Sequence, residues 1–152
     1  MTIELAGFGY PTADPTSAPF WDAVAERRLL VAKCTSCGGS FMPFSSECSN
    51  CGASGAQLTD AGGYGELYTW TVCHRAMDPM FAAATPYVVG LVRLREGASL
   101  FTLIVDCDPA ALAPGLEVRL CWRTVTPAGL ALWAFRPAAH GAGAAELHGE
   151  HA

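Results

Sequence analysis

The sequence predicts a mainly β chain with a short N-terminal helix, a metal ribbon held by cysteines, and a five-stranded barrel. Three observations lead to this fold class. Four of the seven cysteines form two C-x-x-C pairs, period-two runs typical of strands dominate from residue 64 onward, and one capped helical turn interrupts those runs. The chain has 152 residues, 51% of them hydrophobic and 15% charged, which is enough for a compact core and excludes general disorder.

A helix is predicted to begin at Ser17, which offers a capping hydroxyl, with Pro19 in the first turn. One face of this helix is apolar and consists of Phe20, Trp21, Val24 and Ala25. Such a stripe usually packs against its own chain, so we expect burial in the core and keep docking on another subunit as the alternative. Residues 1–16, rich in Gly, Pro and Thr, are expected to form a loosely held arm.

The paired cysteine motifs are the strongest signal in the chain. A short strand over residues 29–33 leads into the first motif, and residues 52–63 read as a Gly/Ala/Ser connector. Each C-x-x-C places two thiols on one tight turn, and the following Gly38 or Gly52 allows that turn and brings its amide near the sulfurs. Four thiolates suit a tetrahedral structural zinc, with a rubredoxin-type iron centre as the less favoured alternative. The predicted metal ligands are Cys34, Cys37, Cys48 and Cys51.

The C-terminal half predicts a barrel. Alternating residues over 64–73 indicate a first strand, and further strands are predicted over 86–95, 99–106, 117–124 and 130–135. Asp108 caps a short helical turn that begins with Pro109 and lies between the third and fourth of these strands. This order is typical of the OB fold, and closure of the barrel removes the two edges that an open sheet would expose.

Charge and apolar patterning exclude several classes of protein. The net charge of −5 argues against a general polyanion binder, and six arginines balance six acids over residues 61–136. A nucleic-acid-binding zinc-ribbon/OB module is therefore kept only as an alternative. The N-terminus lacks the features of a secretory signal, and the most apolar stretch, residues 80–92, is too short to span a membrane. Paired cysteines in such a chain favour a reducing compartment, so we expect a cytoplasmic protein.

The remaining cysteines do not form a catalytic set. Cys73 adjoins His74, but neighbours on a strand point to opposite faces. Cys107 lies between two aspartates, which are expected to raise the pKa of its thiol, and Cys121 is expected to be a core residue. We therefore predict no catalytic residues, and the chain is not expected to be an enzyme on its own.

The long connection over residues 74–86 joins the first two barrel strands, where OB folds commonly hold ligands. Arg75 is a candidate phosphate contact, while Met77, Met80 and Phe81 are candidates to pack against an acyl or pantetheine arm, or against a partner. The alternative is a loop that folds over the open end of its own barrel.

The order of these parts resembles one family. The helix with Pro19-Phe-Trp, the Leu-Leu-Val-Ala-Lys-Cys run ending at Cys34, the cysteine pairs, and a barrel closing on Phe135-Arg-Pro137 are similar to the acyl-CoA-associated zinc-ribbon/OB-fold family, domain-of-unknown-function family 35. The resemblance covers about residues 17–137. Two departures are Met42-Pro-Phe-Ser45, where the family often has a Pro-Pro-Arg-like stretch, and Ser49, where it often has proline.

The resemblance implies a rubredoxin-like zinc ribbon, an OB-fold barrel and a non-catalytic accessory role in an acyl-CoA-processing complex. The partner would be a thiolase-like or lipid-transfer-type aldolase subunit, as a heterotetramer, acting on a carbon–carbon bond of a 3-oxoacyl- or 3-hydroxyacyl-CoA. A subunit of an enoyl-CoA hydratase complex is the alternative. The candidate CoA- or partner-binding residues are Arg75, Met80, Phe81 and Tyr87. The expected organisation is an arm and helix (1–33), a zinc ribbon (34–60), an OB-fold domain (61–137) and a disordered tail (138–152).

Overall fold

The computed structural model describes residues 14–126 and 129–138. The predicted tail beyond residue 138 and most of the predicted N-terminal arm lie outside the described residues. The described chain contains one α-helix, α1 (Ala18–Ala25), and two 3-10 helices, Pro79–Ala84 and Pro109–Ala111. The strands are β1 (Leu30–Cys34), β2 (Ser40–Phe41), β3 (Ala56–Asp60), β4 (Tyr64–Cys73), β5 (Tyr87–Leu94), β6 (Ser99–Ile104), β7 (Leu116–Thr124) and β8 (Ala131–Pro137).

The ribbon is a three-stranded antiparallel sheet in the order β2-β1-β3. β3 pairs with β1 over five consecutive residues, from Leu30 opposite Asp60 to Cys34 opposite Ala56. The expectation of a connector over residues 52–63 is therefore wrong for this stretch. All five residues of β3 are exposed, so the strand has no buried face and is specified by backbone pairing with β1.

The barrel closes in the order β4-β5-β6-β8-β7, which confirms the predicted five-stranded OB fold. β6 and β8 are parallel, and every other ladder of the barrel is antiparallel. The predicted helical turn between β6 and β7 is present, and the Asp108 carboxylate accepts a hydrogen bond of 3.0 Å from the Ala110 amide. The ladders around the barrel differ in length, since β5 and β6 pair over six residues whereas β6 and β8 pair over two.

The start of α1 differs in detail from the prediction. The Ser17 side chain makes no capping hydrogen bond. The Asp14 carboxylate instead accepts hydrogen bonds from the amides of Thr16 and Ser17, at 2.8 and 2.9 Å. A carboxylate binds such amides more strongly than a hydroxyl does, because its bonds are charge-assisted.

α1 buries its apolar face against its own chain, as the more favoured of the two interpretations predicted. Phe20 and Val24 are fully buried and belong to the same cluster as Leu67 and Phe135 inside the barrel. Ala23 is buried on this face, whereas the predicted Ala25 is exposed. None of the helices in the part of the chain that the structure describes has the length and apolar character needed to cross a membrane.

Phe20 also joins the ribbon to the barrel. Its ring makes edge contacts with Trp21 in the same helix, Phe44 of the ribbon and Trp133 of β8, with ring centroids 5.3, 4.8 and 5.4 Å away. β1 makes a second link, because Leu30 and Val31 belong to the barrel cluster while Ala32 and Cys34 belong to a separate ribbon cluster. The two modules are therefore packed together through shared side chains.

Candidate functional site

The two cysteine turns have the same backbone geometry. Gly38 donates a hydrogen bond of 3.0 Å to the carbonyl of Cys34, and Gly52 donates one of 2.8 Å to the carbonyl of Cys48. Both glycines have positive φ values, 72° and 74°, which other residues rarely adopt. Glycine is required here for the turn, as predicted, but its amide binds a carbonyl oxygen and not a sulfur.

The four predicted metal ligands converge. Their sulfur atoms all lie within 4.8 Å of one another, and no second such cluster of His, Cys, Asp or Glu occurs in residues 14–126 and 129–138. The Sγ atoms of Cys34 and Cys51 are 3.8 Å apart, and those of Cys37 and Cys48 are 3.7 Å apart. A tetrahedron with zinc–sulfur bonds of about 2.3 Å has edges of about 3.8 Å. The four thiols thus have the arrangement of a metal-binding zinc ribbon.

Backbone amides point at three of the four sulfurs. The amides of Ser36, Gly39 and Asn50 each donate to a cysteine sulfur at 3.4 Å. The amides of Cys37 and Ser36 lower the pKa of Cys34 to about 6, against the effect of burial. Since metal ions bind the thiolate, the fold prepares this sulfur for coordination. A site with four sulfur ligands leaves no open position for a substrate.

Two of the three cysteines outside the ribbon have thiols whose pKa is raised. Burial raises the pKa of the Cys107 thiol, and Asp106 and Asp108 raise it further. The predicted direction is therefore confirmed, although burial is the larger cause. Burial also raises the pKa of Cys121, which packs with the barrel wall.

The 74–86 connection contains a 3-10 helix, Pro79–Ala84, whose first amides are capped by Asp78. Its buried residue, Ala84, packs on the barrel wall in a cluster that is separate from the main core. The cluster also contains the buried residues Val105, Val125 and Ala134 and the half-buried Met80, Phe81 and Tyr87. The connection thus packs against the side of its own barrel.

Two of the four candidate binding residues come together beside an apolar groove. The Phe81 and Tyr87 rings lie 5.4 Å apart, and the groove next to them has a volume of about 300 Å³. Arg75 is exposed, makes no ion pair or hydrogen bond to the described residues and does not line the groove, nor does Met80. The lining residues are Phe81, Tyr87, Val89, Phe101, Thr102, Leu103, Leu132 and Trp133.

The short β6–β8 ladder explains where the groove lies. The two strands pair only at Leu103 with Ala134 and Ile104 with Phe135, and the groove lies beside the residues that precede these pairs on both strands. Phe101 projects there with 72% of its surface exposed. Sequence reasoning missed Phe101, yet β6 carries apolar residues in both alternating phases, which is a signal of a strand with two apolar faces.

Fold and site together define a zinc-ribbon protein with an appended OB-fold barrel. Residues 21–56 match the family described as the ChsH2 rubredoxin-like zinc ribbon domain, and residues 58–123 match the ChsH2 C-terminal OB-fold domain. The chain belongs to this family, which is the DUF35 family of the predicted resemblance.

Curated relatives of this chain differ in name and in length. A DUF35 domain-containing scaffold protein of Methanothermobacter thermautotrophicus is 34% identical over 72% of this chain and 83% of its own. Another from Methanocaldococcus jannaschii is 30% identical over 81% of this chain and 88% of its own. A "Probable enoyl-CoA hydratase alpha subunit" of Thermomonospora curvata is 34% identical over 84% of this chain, which spans only 39% of that relative.

Two solved structures share the fold. A chain from the Ltp2-ChsH2(DUF35) aldolase superposes with a TM-score of 0.71 and 34% identity, covering 84% of this chain and 98% of that one. A DUF35 protein of unknown function from Sulfolobus solfataricus superposes with a TM-score of 0.59 and 16% identity, over 85% of this chain and 90% of its own. The second match shows the fold alone.

Proposed function

We propose that this chain is a non-catalytic accessory subunit of an acyl-CoA-processing complex. Its partner is a lipid-transfer-type aldolase or a thiolase, which makes or breaks a carbon–carbon bond in a 3-oxoacyl- or 3-hydroxyacyl-CoA. The observation that carries the proposal is the match, at 34% identity and over 98% of its length, to a chain of the Ltp2-ChsH2(DUF35) aldolase. The partner supplies the reacting groups, and a heterotetramer of two chains of each kind is the expected assembly.

The proposed role of the metal centre is structural. Cys34, Cys37, Cys48 and Cys51 bind zinc, and the sulfur–sulfur distances of 3.7 and 3.8 Å support that assignment. Because β1 connects the ribbon to the barrel cluster, zinc fixes the orientation of the ribbon relative to the barrel, and the partner recognises this orientation. Chelation of the zinc should therefore release the partner before it affects any active site on that partner.

The proposed contact surface is the groove beside Phe81 and Tyr87. Apolar side chains line it, and the exposed Phe101 at its rim provides an aromatic anchor of the kind that dominates protein interfaces. We assign the groove to the partner subunit or to the acyl chain that lies between the two proteins. Arg75 and Met80 lie outside the groove, and we propose that they contact CoA or the partner there.

The test is capture of the tagged full chain from its native extract, followed by reconstitution with the purified partner. Recovery of an aldolase or thiolase, with a mass in light scattering that fits two copies of each chain, is the expected result. Phe81→Ala and Phe101→Ala should each weaken assembly about tenfold or more, as expected for interface anchors. Leu58→Ala is the matched control, because Leu58 is an exposed apolar residue of β3 outside the groove. Equal losses in all three variants would refute the assignment of the groove.

A hydratase complex is the second candidate, and the Thermomonospora curvata relative favours it. The two candidates differ in the reaction that the reconstituted complex catalyses. Cleavage of a 3-hydroxyacyl- or 3-oxoacyl-CoA supports the aldolase or thiolase role, whereas hydration of an enoyl-CoA without carbon–carbon cleavage supports the hydratase role.

A further inference from the structure

Three arginines lie on the outer face of β7 and β8. Arg119 is directly opposite Arg136 in the antiparallel ladder, and Arg123 follows on the same face of β7. Like charges at directly opposed positions destabilise a sheet. A negatively charged ligand that contacts both arginines would offset this repulsion.

Among the described residues, Asp106 is the carboxylate that pairs with these arginines. Asp106 forms an ion pair with Arg123, and its carboxylate is 3.6 Å from the Arg136 guanidinium. Glu117 lies on the same face but pairs with Arg95 of β5. Three positive charges against one carboxylate leave an excess of two, on a chain whose net charge is −5.

Two of these charges meet at one point of the barrel wall, since the guanidinium groups of Arg123 and Arg136 both lie near the same Asp106 oxygen. Cys121 lies between Arg119 and Arg123 on the same face of β7. Burial raises the pKa of its thiol, but the charges of Arg123, Arg136 and Arg119 all act in the opposite direction. The guanidinium groups therefore lie within electrostatic reach of the same sulfur atom.

The arginines have unused hydrogen-bonding capacity. The Nε atoms of Arg119, Arg123 and Arg136 are shielded from solvent and have no partner in the described residues, and Arg119 makes no ion pair there. Other arginines of the barrel are engaged, since Arg93 stacks on Tyr68 and Arg95 stacks on Tyr64. Shielded donors without an acceptor cost stability, which the side chains would recover if they turned these nitrogens toward an oxyanion.

We propose that Arg119, Arg123 and Arg136 form a binding site for a phosphate oxyanion on the outer face of β7 and β8. Guanidinium groups match the oxygens of phosphate in charge and in paired hydrogen-bond geometry. The site itself rests only on these residues. Its assignment to the phosphate groups of an acyl-CoA, in preference to free phosphate, rests on the proposed function.

The test uses the zinc-loaded full chain without any partner. Calorimetric titrations with inorganic diphosphate, coenzyme A and pantetheine separate the oxyanion from the rest of the cofactor. We expect diphosphate and coenzyme A to bind and pantetheine, which lacks phosphate, not to bind through these residues. Arg119→Gln with Arg136→Gln should weaken binding about tenfold or more, since each removes a charge-assisted contact. Arg93→Gln, the matched control on the same barrel, should change binding less than about twofold.

Asp106→Asn provides a variant with the opposite expected effect. Removing the competing carboxylate should tighten diphosphate binding severalfold, and asparagine tolerates the positive φ of 52° at this position. Arg119→Gln should also raise the melting temperature when no anion is present, because it relieves the opposed charges. A purely structural role for Arg119 predicts a lower melting temperature in that variant.

The outcomes separate the two proposals. Binding of diphosphate and coenzyme A that is lost in the double arginine variant supports the site and its nucleotide ligand. Binding of diphosphate but not coenzyme A supports the site and overturns the assignment to acyl-CoA. Affinities that are equal in the wild type and the double variant, or no binding of either anion, overturn the site. None of these results alters the partner-capture test of the accessory role.

Discussion

Phe20→Ala is expected to destabilise the ribbon and the barrel together. The side chain is 0% exposed, and its ring contacts α1, the ribbon and β8 through Trp21, Phe44 and Trp133. Replacing a buried phenylalanine with alanine costs about 3–5 kcal/mol in unfolding free energy. Edge contacts between aromatic rings add about 0.5–1.5 kcal/mol each beyond burial, so we expect the upper part of that range.

The measurement is guanidinium-induced unfolding of the zinc-loaded protein, followed by tryptophan fluorescence and circular dichroism. Trp21 and Trp133 contact Phe20, so the fluorescence reports on the site of the substitution. A loss of about 4–5 kcal/mol is a large share of the about 5–15 kcal/mol that stabilises a typical domain. Phe20→Leu, which keeps much of the volume, should give a smaller loss than Phe20→Ala.

The matched control is Phe101→Ala, since Phe101 is 72% exposed and the chemical change is the same. Its unfolding free energy should change by less than about 0.5 kcal/mol. A loss below about 1.5 kcal/mol in Phe20→Ala, or an equal loss in the two variants, would refute the view that Phe20 holds the two modules together.

Three further predictions concern the barrel core, the metal centre and a buried thiol. Gly90→Ala should cost about 1–3 kcal/mol of unfolding free energy, measured by denaturant titration, because the new Cβ would lie 2.7 Å from Leu67 and 2.8 Å from Ile104. Cys48→Ser should lower zinc affinity, measured by competition with a chromogenic chelator, because it replaces one of four soft ligands. Alkylation of Cys107 in the native protein, followed by mass spectrometry, should accelerate only above the usual thiol range near about pH 8.5, because burial raises its pKa.

Controls for these three experiments come from the same chain. Gly62→Ala should leave stability nearly unchanged, because only the end of the flexible Glu96 side chain lies near the new Cβ. Cys73→Ser, outside the ribbon, should leave zinc affinity unchanged. An undiminished stability of Gly90→Ala, equal zinc affinity in both serine variants, or rapid labelling of Cys107 at pH 7 would each contradict the corresponding argument.

The fold was largely predictable because its main signals are local. The cysteine turns, the Asp108 cap and the strand β4 each depend on consecutive residues, and each was found in the structure. The predicted alternation of β4 is interrupted, because a bulge lies between Leu67 and Thr69. β3 was missed because its alternation is short and lies in a stretch rich in Gly, Ala and Ser, so that pairing with β1 defines it. Ser17 is the N-cap as predicted, but its hydroxyl makes no capping bond, and the Asp14 carboxylate accepts from the amides that precede the helix.

The groove and the arginine cluster were less predictable because closure of the barrel creates them. Phe81 was predicted from its place in the 74–86 connection and Tyr87 was named as a candidate beside it, whereas Leu132 and Trp133 reach the groove from a distant strand. The equal numbers of arginines and acids over residues 61–136 gave no sign of a local positive charge. The ladder between β7 and β8 then placed Arg136 opposite Arg119, and no local pattern encodes that register.

The ladder between β6 and β8 has two residue pairs and is the shortest of the barrel; we call this contact the seam. Opening a seam costs less where fewer hydrogen bonds must break, so backbone amides there should exchange with deuterated solvent sooner than those in the six-residue ladder between β5 and β6. The apolar groove lies along this seam. A partner or ligand bound in the groove would then stabilise the contact between β6 and β8. The slowing of amide exchange in these strands on assembly would measure that stabilisation.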